Sequence, residues 1–108
     1  MKIQTLLAAT LLSLALGSPG LAAGNAAAGK DKSAACAGCH GPDGNSAAPD
    51  FPKLAGQHGD YLSHSLKAYK TKARTNAIMN GLAATLSDKD IADLAAYYAS
   101  QKGLNVKR

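Results

Sequence analysis

Between residues 61 and 74, Leu62, Leu66, Tyr69 and Ala73 recur at i, i+4, i+7 and i+11, the spacing of one face of an α-helix. Asp60 stands where a cap would, so the pattern predicts a helix from Tyr61 to about Arg74. In a second periodic stretch, Ser87-Asp88-Lys89-Asp90 resembles a capping box with Asp in place of the usual Glu. Ile91, Leu94, Ala95 and Tyr98 then align on one face, and Gly103 is a natural stop. The Ala-rich residues 24–37, broken by Lys30-Asp31-Lys32, suit a further short helix. No run rich in Val, Ile or aromatics alternates as a strand does. Residues 41–59 carry three prolines and four glycines, a loop long enough to need a functional reason.

The N-terminus follows a different pattern. Lys2 is basic, and residues 3–16 are apolar apart from Gln4, Thr5, Thr10 and Ser13. Gly17-Ser18-Pro19-Gly20 then breaks the run before the small Ala22 and Ala23. This is the layout of a secretory signal peptide over residues 1–22, with the cut between 22 and 24, and it predicts export to the periplasm. The run falls short of the roughly 20 residues that span a bilayer, so no stable membrane insertion is expected after cleavage. Residues 25–108 then form one small domain, too short for a multidomain enzyme. With no Trp, one Phe, four Tyr and an apolar fraction of 46% that is largely Ala, its core is thin. Chains of this size need help to be stable.

The cysteines point to that help. Cys36-Ala37-Gly38-Cys39-His40 is C-x-x-C-H, the attachment sequence of c-type haem. Two thiols at this spacing match the vinyl groups on one edge of the ring, and His40 is then held beneath the iron. A disulfide across two intervening residues closes too small a loop to stabilise much. A thioredoxin-like pair needs a βαβ context, and a zinc site needs four ligands. For the second axial position Met79 is the only methionine beyond the signal segment, and it lies between two helical stretches. It is read as a loop residue, since a loop lays a thioether against iron more easily than a helix does. His58, in the turn sequence Gly56-Gln57-His58-Gly59, and His64, about 160° from the apolar stripe, are read as surface residues.

Cys36–His40 with Gly41-Pro42-Asp43-Gly44-Asn45-Ser46, Pro49 through Gln57, Arg74 through Met79 and Leu86 through Tyr97 together resemble the class I bacterial cytochromes c. The likeness is to the single-haem units of the cytochrome c4 and c553 group, and it covers residues 25–102. The resemblance implies an all-α cytochrome c fold: three to four short helices and a long loop wrapped around one covalently attached haem c. It places the methionine ligand at Met79 and packs Tyr97 or Tyr98 near Gly29. It also gives Pro49, nine residues after His40, the carbonyl that accepts the His Nδ1–H, with Pro52 as the alternative.

With both His40 and Met79 on the iron no position is open to substrate, and the acids are seven Asp and no Glu. The expectation is therefore not an enzyme but a one-electron carrier, cycling between Fe(III) and Fe(II) for a redox donor and acceptor. The alternatives are a haem subunit of a periplasmic complex such as a sulfur-compound dehydrogenase, or a haem sensor if Met79 does not ligate. The net charge of +5 loses Lys2 with the signal segment and is partly offset by the haem propionates, so only a local patch could attract an acidic partner. Lys67, Lys70 and Arg74 fall within about 60° at the helical period. Export excludes nucleic acid, and a monomer is the default. Because haem supplies the missing core, the haem-free chain is expected to be largely unfolded. Calorimetry checks this: the apoprotein should show no cooperative transition resembling that of the holoprotein.

Overall fold

The computed structural model describes residues 24–107; the proposed signal peptide lies outside the described residues. Five helices follow in order: α1 (Ala26–Lys32), α2 (Ala34–His40), α3 (Gly59–Lys70), α4 (Ala77–Ala84) and α5 (Asp88–Ser100). The all-α expectation holds, with a larger number of helices than the three to four expected. The single N-terminal helix is divided at Ser33, whose hydroxyl bonds back to the Lys30 carbonyl at 2.7 Å and closes α1. The extra element is α4, read from sequence as a connection. Asn76 caps it by accepting from the amides of Ile78 and Met79. Once capped, Ala, Ile, Met and Leu are adequate helix formers.

The C-terminal helix organises the rest. Its capping box is present, with Ser87 Oγ accepting from Asp90 N at 3.0 Å and Asp90 Oδ2 accepting from Ser87 N at 2.9 Å. Ile91, Leu94, Ala95 and Tyr98 are buried as the periodicity implied, joined by Asp93 and Tyr97. α5 packs against both α1 and α3, and α3 packs against α4. The central cluster is Leu62, Leu94, Ala95, Tyr97 and Tyr98.

Helix α3 is shorter than its pattern. It begins with His58 as N-cap rather than Asp60, and ends at Lys70, with Lys72 in the left-handed region at φ 64°. Ala73 and Arg74 therefore fall beyond the helix and are exposed. Arg74 no longer shares a helical face with Lys67 and Lys70.

Helix α1 lies almost backbone to backbone on α5. A Cβ on Gly29 would sit 2.0 Å from the Asp93 carbonyl oxygen and 2.7 Å from the Tyr97 Cβ, so no larger residue fits without separating the helices. Asp93, only 1% exposed, bolts this crossing. Its Oδ1 accepts from Asn25 N at 2.8 Å, and its Oδ2 accepts from Lys32 Nζ at 2.7 Å and Lys89 Nζ at 2.9 Å. Lys32 also pairs with Asp90 at 2.9 Å.

The Asn25 amide first, then the two ammonium groups, hold the Asp93 carboxyl far below the usual carboxylate range. The Ser87 amide and Lys32 lower Asp90 to about 2. Both groups are more acidic folded than unfolded. The stability they contribute is therefore complete above the ordinary value of 3.8 and is lost as pH falls toward about 2. Asp93→Asn should lower the urea midpoint of the holoprotein at pH 7, and the gap to wild type should narrow as the pH is brought through 4 to 3. Denaturation curves at each pH provide the check.

Candidate functional site

Helix α2 places Cys36, Cys39 and His40 at i, i+3 and i+4, one side of a seven-residue helix. Both cysteines are free, half-buried thiols. Cys36 packs against the central cluster, and burial pushes its thiol up from the usual value, with the Tyr98 phenol beside it opposing the shift. The helix stops at Gly41, φ 81°, whose amide bonds to the Ala37 carbonyl.

His40 is buried, and its Nδ1 lies 2.8 Å from the carbonyl oxygen of Pro52. A carbonyl can only accept, so Nδ1 carries the proton and Nε2 keeps its lone pair. The tautomer is set by the backbone of the long loop. The partner is Pro52, the alternative, and not Pro49, to which the resemblance gave the role. Gly44 explains the difference. Its carbonyl accepts from both Leu54 N (2.8 Å) and Ala55 N (3.2 Å), and this pinch brings residues 52–55 under α2. Pro49 lies on the outward bulge, exposed, beside a local turn in which Ser46 Oγ bonds the Ala48 carbonyl. Spacing along the chain could not register that pinch. Gly44 itself, at φ 86°, is in the region that favours glycine.

The two tyrosines of α5 have separate roles. Tyr97 donates its hydroxyl to the Pro42 carbonyl at 2.8 Å and meets Gly29, which settles the Tyr97-or-Tyr98 alternative in favour of Tyr97. Tyr98 packs its ring against Gly44 and has a buried hydroxyl with no hydrogen-bond partner. Burial first, then the nearby Cys36, raises its phenol well above the ordinary value.

Met79 lies in the first turn of α4, not in a loop. It is half-buried, with Ile78 and Leu82 of the same helix 57% and 38% exposed. The Asn76 side chain accepts from the Met79 amide, and the Asn80 side chain ties this turn to the end of α3. Helices α2 and α4 are not a packed pair, so His40 and Met79 are carried by elements separated by the α3–α5 framework. His64 is exposed as expected, while His58 is half-buried at the start of α3.

Of the basic trio, Lys70 donates to the Leu86 carbonyl and Arg74 stacks 4.6 Å above the Tyr69 ring. Lys67 lines a groove between α3 and α5 beside Asp60, Asp88 and Lys89. The trio is largely committed to internal contacts and does not form one free basic face.

The donor set fits haem. Two thiols and an imidazole with a defined lone pair share one helix, and a thioether stands apart from them. Among the described residues no three His, Cys, Asp or Glu side chains converge as ligands of a bare metal ion would. Cys36, Leu54, Leu66, Leu86 and Ala99 form a half-covered apolar margin of the core, beside the unpartnered Tyr98 hydroxyl. That margin suits a large, mostly apolar planar group. Fold and site together define a c-type haem protein.

The comparisons with known proteins agree. The cytochrome c family profile matches residues 23–102, and the chain belongs to that family, whose members carry covalently bound haem c. Cytochrome c4 of Pseudomonas aeruginosa is 55% identical over 100 residues, covering 93% of this chain and 50% of that protein. Cytochrome c-554(548) of Halomonas halodenitrificans is 52% identical over 83 residues, covering 74% of this chain and 100% of that protein. The crystal structure of reduced recombinant cytochrome c4 from Pseudomonas stutzeri superposes with a TM-score of 0.72 at 47% identity, covering 76% of this chain and 48% of that one. The chain thus spans about half the length of the cytochrome c4 relatives it matches.

The pinch at Gly44 generates a prediction. A Cβ there would meet the Tyr98 ring at 2.7 Å and the Ala55 amide at 2.9 Å, in a backbone region that other residues resist. Gly44→Ala should lower holoprotein stability by at least about 2 kcal/mol. Chemical denaturation measures the loss, and in reduced protein the His40 Nδ1 proton should exchange faster with solvent by NMR.

Proposed function

We propose that this chain is a periplasmic one-electron carrier whose haem is bound through thioethers to Cys36 and Cys39, with His40 Nε2 and Met79 Sδ as the iron's axial ligands. The observation that carries the reading is the His40–Pro52 bond beside the paired cysteines, since it leaves Nε2 as a lone-pair donor in fixed orientation. Haem, when bound, supplies an iron centre that gains and loses one electron without transferring a chemical group.

The chain's residues set how readily that happens. Hydrogen bonding at Nδ1 makes the His40 imidazole a stronger donor. A thioether from Met79 is a weak neutral donor, and the His/Met pair favours a raised potential. Ala55, Leu94 and Tyr98, all buried, keep water from the α2 side and disfavour extra charge there. Two protein ligands leave no place for a substrate, so the residues support transfer rather than catalysis.

The signal segment supports export, and among the described residues no helix is long and apolar enough to cross a membrane. The partners are then a redox donor and an acceptor, met by a monomer. With Lys70 and Arg74 engaged internally, only Lys67 of the three is left to attract an acidic partner.

Absorption spectroscopy tests the ligand pair. Oxidised holoprotein should show the band at the red edge of the visible spectrum that iron–thioether ligation produces. Met79→Ala should lose it, bind imidazole readily, and fall in potential by a sizeable part of the roughly 0.8 V range that axial ligands command. A wild-type ferric protein without the band would instead support a sensor with an open iron position.

A further inference from the structure

The hydrogen bonds around the turn that carries Met79 converge on one side chain. Asn80 Nδ2 donates to the Tyr69 carbonyl at 2.8 Å and to the Arg74 carbonyl at 2.8 Å. Its Oδ1 accepts from the Asn76 amide at 2.9 Å. Both amide protons and the oxygen are therefore engaged, each by backbone. The three partners bracket the whole α3–α4 connection: the end of α3, the middle of the turn and the cap of α4. Among the described residues Lys70 also links the end of α3 to the chain beyond α4, by one bond to the Leu86 carbonyl, but it does not engage the connection itself. The Asn76 side chain works within α4, on the amides of Ile78 and Met79. The Arg74 side chain reaches Ser65 and stacks on Tyr69, both on α3.

We propose that Asn80 is a positioning residue that clamps the 69–80 connection and so holds the Met79 thioether at the distance and angle its ligand role requires. The inference rests on the reading of Met79 as an iron ligand. Met79 lies one residue before Asn80 and shares its helical turn. The turn sets the point from which the flexible thioether reaches, and the turn cannot move without breaking the Asn80 bonds. Residue chemistry restricts the role. Asp supplies the acceptor but turns both donors into an oxygen facing two carbonyls. Ala removes all three bonds. The connection's other ties run back to α3 and not forward to α4: the Arg74 amide bonds the Ala68 carbonyl at 3.0 Å and its guanidinium stacks on Tyr69. Residues 71–78 are exposed, and Lys72 sits at positive φ.

The test uses holoprotein and imidazole as a competing ligand for ferric iron. A loosened clamp destabilises the thioether-bound state, and the apparent imidazole affinity rises by the same factor. For Asn80→Ala and Asn80→Asp the rise should be about tenfold or more, the population change that losing two or three net hydrogen bonds produces. On heating, the red-edge band of these variants should vanish well below the temperature at which helicity is lost. Ile91→Val, which trims the fully buried core of α5, serves as the comparison. It should lower the unfolding temperature while leaving imidazole affinity unchanged and the band intact until unfolding. If the wild type shows the band but the Asn80 variants bind imidazole no better than Ile91→Val, the clamp is refuted and the ligand reading survives. If wild-type ferric protein lacks the band, the ligand reading fails and the proposal falls with it.

Discussion

The close crossing of α1 on α5 is the constraint on which the other placements depend. Gly29 lets the two backbones meet, and Asp93, buried with Lys32 and the Asn25 amide, fixes where along α5 they meet. That choice determines where α2 begins, since Ser33 alone separates it from α1. It also determines which residues of α5 look toward α2. Tyr97 packs at the crossing and reaches the Pro42 carbonyl, while Tyr98 comes to lie against Gly44 and beside Cys36. The position of the cysteine-bearing helix is thus set by contacts more distant than anything on α2 itself.

A buried carboxylate with two lysines is not in general a strong source of stability, because desolvation offsets much of the attraction. Here its geometry does something else. An apolar side chain in the place of Asp93 would leave the Asn25 amide without its partner and would permit the two helices to slide. The ionic cluster therefore specifies register. Apolar burial is left with little to work with, since the central cluster contains just two leucines, an alanine and two tyrosines. Such a core makes the bound haem part of the folding free energy, because a group that binds only the folded chain stabilises it by mass action.

How much of this could be read from the sequence followed the range of the interactions. Cys36, Cys39 and His40 are legible because their relation is local and chemical, and the α5 face and its capping box because they repeat within a few residues. The Pro52 carbonyl was not, since its selection depends on Gly44 accepting two amides ten residues away. The resemblance favoured Pro49 over Pro52, and nothing local in the sequence marked which of the two the pinch would bring to His40. The α4 helix was missed because its start depends on the Asn76 side chain rather than on an apolar period. Arg74 was grouped with Lys67 and Lys70 by extending a helical period past Lys70, where the chain turns at Lys72.

The two sides of the proposed site are consequently held in different ways. On the α2 side, His40 is adjacent to both thiols, buried, and bonded to a loop that is itself tied to α5 through Gly56 and the Tyr98 carbonyl. Displacing it would require opening the core. On the α4 side, Met79 belongs to a short helix packed on α3, with exposed neighbours and a connection bridged by the Asn80 amide. Regions with few buried contacts and exposed hydrogen bonds open locally at lower free energy than the whole chain. The α4 side is therefore the one able to yield without unfolding the domain, and the rigidity of the site is limited by the α3–α4 connection rather than by the helix that bears the cysteines.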